Sequence, residues 1–456
     1  MSKDQSAAAS ESQLVEDFLS AHPGLDIVEV MLPDLNGRLR GKWIAPSCLK
    51  KAFTGGLKLP VSTLAFDVWG RDPEGWVLDD GDVDGVCRPD VRSLKAVPWL
   101  ERPTAQLLLS LDDVSGNPCA CDPRALLQRI AGRLGKLGLV PVPASEMEFY
   151  LFRDECDRFG RPLHTQIGPA GSAAIGGETY SIEAMESVAA FMHAVRDACK
   201  VQGLPVDTLI AEAAPSQYEI NLFHQPDALL AADHSVLLQR AIKGVARKHG
   251  MRASFMAKPF ADLAGNGMHV HCSVLDSAGS NAFDNGTDEG AQLLQAAIAG
   301  CLAYLPDCML LFAPNRNSYR RFQQGSHAPM TASWGYDNRT VALRVPAGPH
   351  KAMRIEHRVA GADANPYLVM AALLAGITAG IEQDLSPPSP VDGDAATQEL
   401  PSLPATWAEA LRTFSDSAFI REYLGGEFQE IYAGIKQQEI EEFARHIDVL
   451  EYHSYL

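Results

Sequence analysis

Residues 145–151, SEMEFYL, read as a β-strand that carries two acids, Glu146 and Glu148, one residue apart. Residues two apart in a strand share a face, so both carboxylates point one way while Met147, Phe149 and Leu151 line the other. Alone, that alternation describes the solvated face of any half-buried sheet. The same device recurs in three later strand-like runs: QYEINL with Glu219 and Asn221, GMHVHCS with His269, His271 and Ser273, and RIEHR with Arg354, Glu356 and Arg358. Glu212, in IAEAAPSQYE, adds an acid just upstream of Glu219. If these strands are neighbours in one sheet, acids and imidazoles converge on one surface.

Such a cluster needs cations, because two like charges 4 Å apart repel by roughly 4 kcal/mol at an effective dielectric near 20. Mg²⁺ and Mn²⁺ prefer oxygen ligands, and a single imidazole suits Mn²⁺. Zinc fits less well, since Cys272 faces away from the two histidines. A second constellation is basic: Arg320 and Arg321 in NSYRRF, Arg339 and Arg344 in YDNRTVALRVP, then Arg354 and Arg358. Arg339 and Arg344 would face opposite sides of a straight strand, so a turn or bulge must intervene if both serve one site. Guanidinium forks beside a metal-type acid cluster match phosphate and carboxylate. No GxxxxGK[ST] loop is present, which points to phosphoryl transfer from a nucleotide held by ions. The glycine-rich GPAGSAAIGGE at 168–178 lacks the lysine of such a loop and reads as a flexible connection.

The 456 residues exceed one ordinary core and predict two domains. With 46% hydrophobic and 21% charged residues, the composition is that of a globular enzyme rather than a disordered chain. A net charge of −18 disfavours a nucleic-acid partner and suits a cationic substrate. The 9 cysteines form no CxxC pair and read as reduced thiols of a cytoplasmic protein, and the polar start MSKDQSAAAS is no secretory signal. PYLVMAALLAGITAGI, 366–381, is too short and too rich in Ala and Gly for a membrane span and predicts a tightly packed buried helix.

Residues 1–11 read as a flexible tail and 12–20 as a short helix, followed by a β-rich module with an Asn36-Gly37 hairpin. The turn cluster DVSGNPCACDP sets a boundary near residue 122, giving domains 12–121 and 122–456. The Pro- and Ser-rich stretch 384–404 predicts a mobile loop, and 405–456 predicts amphipathic helices completing the core or an interface.

In order, ASEMEFYLF, EAAPSQYEINL, GNGMHVHCSV, APNRNSYRRF, NRTVALRVP and RIEHRVAGADANPYL resemble the motifs of the glutamine synthetase family over nearly the whole chain. The resemblance implies an α+β protein: a small N-terminal β-grasp domain, then a large C-terminal catalytic domain on a curved antiparallel sheet flanked by helices. It also implies self-association into stacked rings, such as a dodecamer. Carried over by motif, Glu148, Glu212 and Glu219 look like ligands of one divalent ion, Mg²⁺ or Mn²⁺, and Glu146, His269 and Glu356 like those of a second, with room for a third ion. His271, Ser273 and Arg344 match positions that contact ATP, and Arg339 one near its phosphates. Arg321, Arg358 and Gly265 match positions that hold glutamate, with His269 alongside. The implied chemistry is phosphorylation of the glutamate γ-carboxylate, then attack by an amine on the acyl phosphate, with Arg339 and Glu356 among the catalytic groups.

Departures from the family pattern bear on the amine. Ammonia-using members resemble one another in a flap glutamate where this chain has His327, in GSHAP, so the ammonium trap is weakened. WGYDNRTVALRVP and HRVAGADANPYL resemble the subgroup that ligates glutamate to putrescine and longer polyamines. Asp67, in LAFDVWGRD, matches a position that approaches the ammonium site from a neighbouring subunit and is expected to hold the amine, with Trp69 a candidate to stack on an alkylammonium. The alternatives are an ammonia-using glutamine synthetase and a catalytically silent structural or regulatory relative. The 384–404 loop contains no Tyr, so adenylylation there is not expected.

Overall fold

The computed structural model describes residues 3–74, 81–165 and 178–456, so the glycine-rich stretch 168–177 lies outside the described residues. The first helix runs from Lys3 to Ala21, where the sequence predicts a loose tail to residue 11. Ala7, Ala8 and Ala9 explain the difference, alanine being the strongest helix former.

The first sheet contains β1 (Ile27–Pro33), β2 (Leu39–Ile44), β3 (Lys58–Pro60), β4 (Asp84–Pro89), β5 (Lys95–Ala96) and β6 (Thr104–Asp112), ordered β2-β1-β6-β4-β3 with β5 on β6. It is mixed: β1 is antiparallel to β2 and parallel to β6. The β1–β2 hairpin turns where Asn36-Gly37 predicts. Gly37 sits at φ 72°, and Asp34 Oδ1 accepts from the amides of Asn36 and Arg38.

Asp122 joins this sheet to the next part of the chain. One oxygen accepts from the Leu111 amide on β6, and the other caps the Pro123–Gly135 helix through the Arg124 and Ala125 amides. The second sheet follows: β7 (Val140–Cys156), β8 (Pro162–His164), β9 (Val206–Ala211), β10 (Gln217–Leu222), β11 (Met251–Ser254), β12 (Met268–Leu275), β13 (Trp334–Tyr336), β14 (Leu343–Val345) and β15 (Ile355–His357). Its order is β13-β14-β15-β12-β7-β10-β9, with β8 and β11 also on β7. Among the described residues every pairing is antiparallel except β13 with β14, which is parallel.

Met147, Phe149 and Leu151, on one face of β7, enter a single apolar core that includes Leu107 and Leu109 of β6, Val236 and Ile242 of the Ala228–Lys248 helix, and Leu373 of the Pro366–Glu382 helix. The last of these is buried along nearly its whole length, as its composition predicts. It crosses the Gln292–Ala303 helix at glycine contacts: a Cβ on Gly380 would lie 2.0 Å from the Ala296 carbonyl oxygen, and one on Gly300 2.2 Å from that of Gly376. Close approach therefore requires glycine at these positions. No single helix among the described residues is long and apolar enough to cross a membrane.

The 384–404 segment departs from the mobile loop its composition predicts. Val391 and Ala395 are buried against Val341, and Trp334 Nε1 donates to the Pro388 carbonyl at 2.7 Å. Asn338 Nδ2 donates to the carbonyls of Val391 and Gly393. The loop is thus pinned to the β13–β14 edge of the sheet.

Candidate functional site

Strand register brings the acids together. Glu146 on β7 lies opposite His269 on β12 and Asn221 on β10, while Glu148 lies opposite Glu219. Glu356 on β15 lies opposite His271 on one side and Arg344 of β14 on the other. All occupy the face turned away from Met147 and Phe149. Ligand atoms of Glu146, His269 and Glu356 fall within 4.8 Å of one another, as do those of Glu148, Glu219 and His269, so His269 belongs to both groups. Glu212 stands outside these two groups and feels the charges of Glu148 and Glu146.

The two groups have different electrostatics. Glu146 accepts from His271 Nε2 at 2.8 Å and His269 Nδ1 at 3.1 Å. Burial works to raise its pKa, but these two rings outweigh burial and hold the carboxyl well below the usual range. Glu356 is likewise kept low: burial is overcome by Arg358, which donates to one oxygen, and by the histidines, while Arg344 donates to the other oxygen at 2.9 Å. Among the described residues Glu219 has no cationic partner, only a hydrogen bond with Asn221. Burial, then the charges of Glu146, Glu148 and Glu212, push it up to about 9. Burial and Glu148 push Glu212 up to about 7. A pocket of carboxylate oxygens and one imidazole, in which two acids are driven to keep their protons, has the donor chemistry of a site for hard divalent ions.

The rim is held by backbone and amide contacts. Glu148 Oε2 accepts from the Gly267 amide at 2.7 Å. Gln217 Nε2 donates to the Gly265 carbonyl at 2.9 Å and to Asn266 Oδ1 at 3.0 Å. A Cβ on Gly265 would stand 2.7 Å from Arg321 Cγ, so this glycine leaves room for a buried arginine that is anchored by the Val359 carbonyl at 3.0 Å. Ser273 lies on β12 in the period-two row of His269 and His271. Arg354 Nε donates to His271 Nδ1 at 3.1 Å, orienting that ring toward Glu146.

Arg339 and Arg344 line one cavity of about 610 Å³, closed on one side by Gly393 and Asp394 of the pinned loop. The turn their spacing demands is present: Asp337 adopts φ 46°, and Asn338 Oδ1 accepts from the Thr340 amide and hydroxyl. Arg344 also pairs with Asp337. His327 is exposed on the segment after Arg321, which Ser326 ties back to the Arg321 carbonyl at 3.0 Å.

Asp67 does not join this cluster. Its buried carboxylate accepts from the Trp69 and Arg71 amides through one oxygen and from Arg71 Nε and Gln438 Nε2 through the other. Burial works to raise its pKa, and these donors outweigh it. Glu439 accepts from the Val68 amide, and Glu442 pairs with Arg71, so the Gly426–Arg445 helix clasps the turn. Within its own chain, both oxygens of Asp67 hold its loop. The Trp69 ring is similarly engaged, by Arg71 at 4.7 Å and Phe443 at 5.2 Å.

Sequence reasoning missed Gln217, Asn266 and Asp337. Gln217 falls in the same period-two row as Glu219 and Asn221, which was signal enough. Asn266 and Asp337 lie in loops, where no periodicity marks them.

The glutamine synthetase catalytic domain matches residues 120–455. Gamma-glutamylputrescine synthetase PuuA of Escherichia coli (strain K12) is 39% identical over 443 residues, covering 96% of this chain and 93% of that protein. Glutamate–isopropylamine ligase of a Pseudomonas species is 35% identical, covering 96% and 98%. A solved structure of a GmaS/ADP complex superposes with a TM-score of 0.85 at 25% identity, covering 97% of this chain and 99% of that one. With helices packed on mixed sheets and this coverage, the chain belongs to the glutamine synthetase family.

Proposed function

We propose that this protein is an ATP-dependent ligase that joins the γ-carboxylate of glutamate to an organic amine, putrescine or a longer polyamine, through γ-glutamyl phosphate. The observation that carries the reading is the meeting of two acidic ligand groups at His269 beside Arg321, Arg344 and Arg358. The relatives named for glutamate–amine ligation supply the substrate class.

Two or three divalent ions, Mg²⁺ or Mn²⁺, would be held by Glu148, Glu212 and Glu219 and by Glu146, His269 and Glu356, where they neutralise phosphate charge. The rest of the chemistry belongs to the chain. Arg339 and Arg344 bind the nucleotide phosphates along their shared cavity, and His271 and Ser273 contact the nucleotide from β12. Arg321 and Arg358 hold the glutamate carboxylates, and Gly265 gives the backbone room to approach. Both reactants are thereby held in line, which converts a bimolecular step into an effectively unimolecular one. Phosphorylation turns a carboxylate oxygen into a phosphate leaving group, and the amine nitrogen then attacks the acyl carbon. His327, an exposed imidazole beside the glutamate-binding arginine, is suited to accept the amine's proton in place of a flap carboxylate.

The same reading carries finer assignments: a β-grasp arrangement for the first sheet, supported by its mixed order, and stacked rings, supported by the exposed Val449, Leu450, Tyr452 and Tyr455 of the last helix. A cytoplasmic location is supported by nine free cysteines. The test is phosphate release with glutamate, ATP and a divalent ion, across monoamines, diamines, polyamines and ammonia. Turnover led by putrescine or a polyamine supports the proposal; turnover led by ammonia replaces it with glutamine synthesis, and none with any amine would make the chain a silent relative.

A further inference from the structure

On the opposite face of the second sheet from the acid cluster lies a second cavity, of about 510 Å³, between the 36–38 turn of the first sheet, the Ala228–Lys248 helix, β11 and residues 362–365. The faces are distinguished by Gln239, a wall residue that reaches Met147, the residue pointing away from Glu146 and Glu148. Its volume lies within the range of about 300–1,000 Å³ common for small-molecule sites.

Four basic side chains line it, Arg38, Arg240, Lys243 and Arg247, against one acid, Asp363. Arg240 is matched by Glu29 and by Gln106 Oε1 at 3.0 Å. Asp363 spends one oxygen on Asn315 and Ser318, and burial pushes its carboxyl upward, so it offers little countercharge. Arg38, Lys243 and Arg247 make no ion pair among the described residues. The half-buried Lys243 ammonium makes no hydrogen bond among the described residues and lies 5.0 Å from the Phe255 ring centroid. Burial, then Arg38 and Arg247, press its pKa down to about 8. Arg247 alone is explained by its place in the last helical turn, where a cation meets the helix dipole. Lys243, half-buried and brought beside Arg38 of the first sheet, is not. Arg38 and Arg247 are exposed and Lys243 is half-buried, and the three converge on one cavity with no acid paired to them among the described residues, an arrangement that suits an anion.

We propose that this cavity binds a small polyanion carrying phosphate or carboxylate groups, held by Arg38 from the first sheet and by Lys243 and Arg247 from the Ala228–Lys248 helix. Such a ligand would bridge the two sheets at a place separate from the nucleotide and glutamate. The assignment does not depend on which amine the enzyme uses.

The test uses the full-length protein stripped of divalent ions, with inorganic phosphate in one arm and succinate in the other, read by equilibrium dialysis and thermal shift. One of the two anions is expected to bind and raise the Tm. Lys243→Met and Arg247→Met are each expected to weaken that binding about tenfold or more, as loss of a charge-assisted contact does. Arg339→Ala, on the other face, leaves it unchanged. Arg247→Met, at an exposed helix end, keeps the test valid if Lys243→Met fails to fold. Binding of neither anion overturns the proposal. So does binding that survives both methionine variants or is lost only in Arg339→Ala. Variants that alter only subunit assembly, with no response to either anion, assign these cations to a subunit contact and also overturn it.

Discussion

Adding Mn²⁺ or Mg²⁺ to the metal-free protein should expel protons, and the number follows from the site. Glu219 titrates at about 9 and Glu212 at about 7. At pH 7.5 Glu219 is mostly protonated and Glu212 mostly ionised, and a ligating carboxylate must lose its proton, so about one proton leaves on saturation. At pH 9.5, above both values, release should be much smaller. Calorimetric titration in buffers of different ionisation enthalpy reads this number as the slope of observed heat against buffer heat. Glu219→Gln should remove most of the pH 7.5 release, because only Glu212, mostly ionised there, then contributes. Release that is absent at pH 7.5, or equal at pH 7.5 and 9.5, would refute both the convergence of carboxylates and the raised affinities they imply.

Stability of the metal-free protein should carry the same signature. Both folded pKa values lie above the ordinary 4.5, so the contribution of Glu212 and Glu219 is full below that value and is lost as pH rises through about 7 and 9. The Tm of metal-free protein is expected to fall between pH 6 and 9.5, and Glu219→Gln to flatten the fall; an unchanged slope in the variant would count against the assignment. Gly380→Ala should lower stability by roughly 1–3 kcal/mol in denaturant titration, because its Cβ meets the Ala296 carbonyl. Gly434→Ala, with open space around its Cβ, should be neutral or stabilising by up to about 1 kcal/mol, and equal effects at the two positions would contradict the helix contact. His327→Glu is expected to increase ammonia-dependent phosphate release relative to putrescine, and no increase would remove the flap argument.

The acid face was legible because a strand writes its two faces into alternate letters: Glu146, Glu148, Glu219, His269 and Glu356 could be named without coordinates. The Asn36-Gly37 hairpin and the buried 366–382 helix were equally local. What the letters do not encode is partnership at a distance. That His269 lies opposite Glu146, or that Gly300 meets Gly376 and Gly380, depends on tertiary register. Polar, proline-rich composition predicts mobility for 384–404, yet its order comes from carbonyl acceptors, which every residue possesses and no sequence pattern reports. The contact of Asp67 with Gln438, 371 residues away, is hidden from the sequence for the same reason.

That separation also sets a timetable. A ribosome that has just released residue 67 has yet to make Gln438, Glu439 and Glu442, and the turn around Asp67 must wait in solution without its clasp until they emerge. Lys436, fully buried with Glu439 and bonded to Asn36 of the first hairpin, ties that hairpin to the same late helix. The early-made part of this protein is therefore finished last, by the segment synthesised farthest from it.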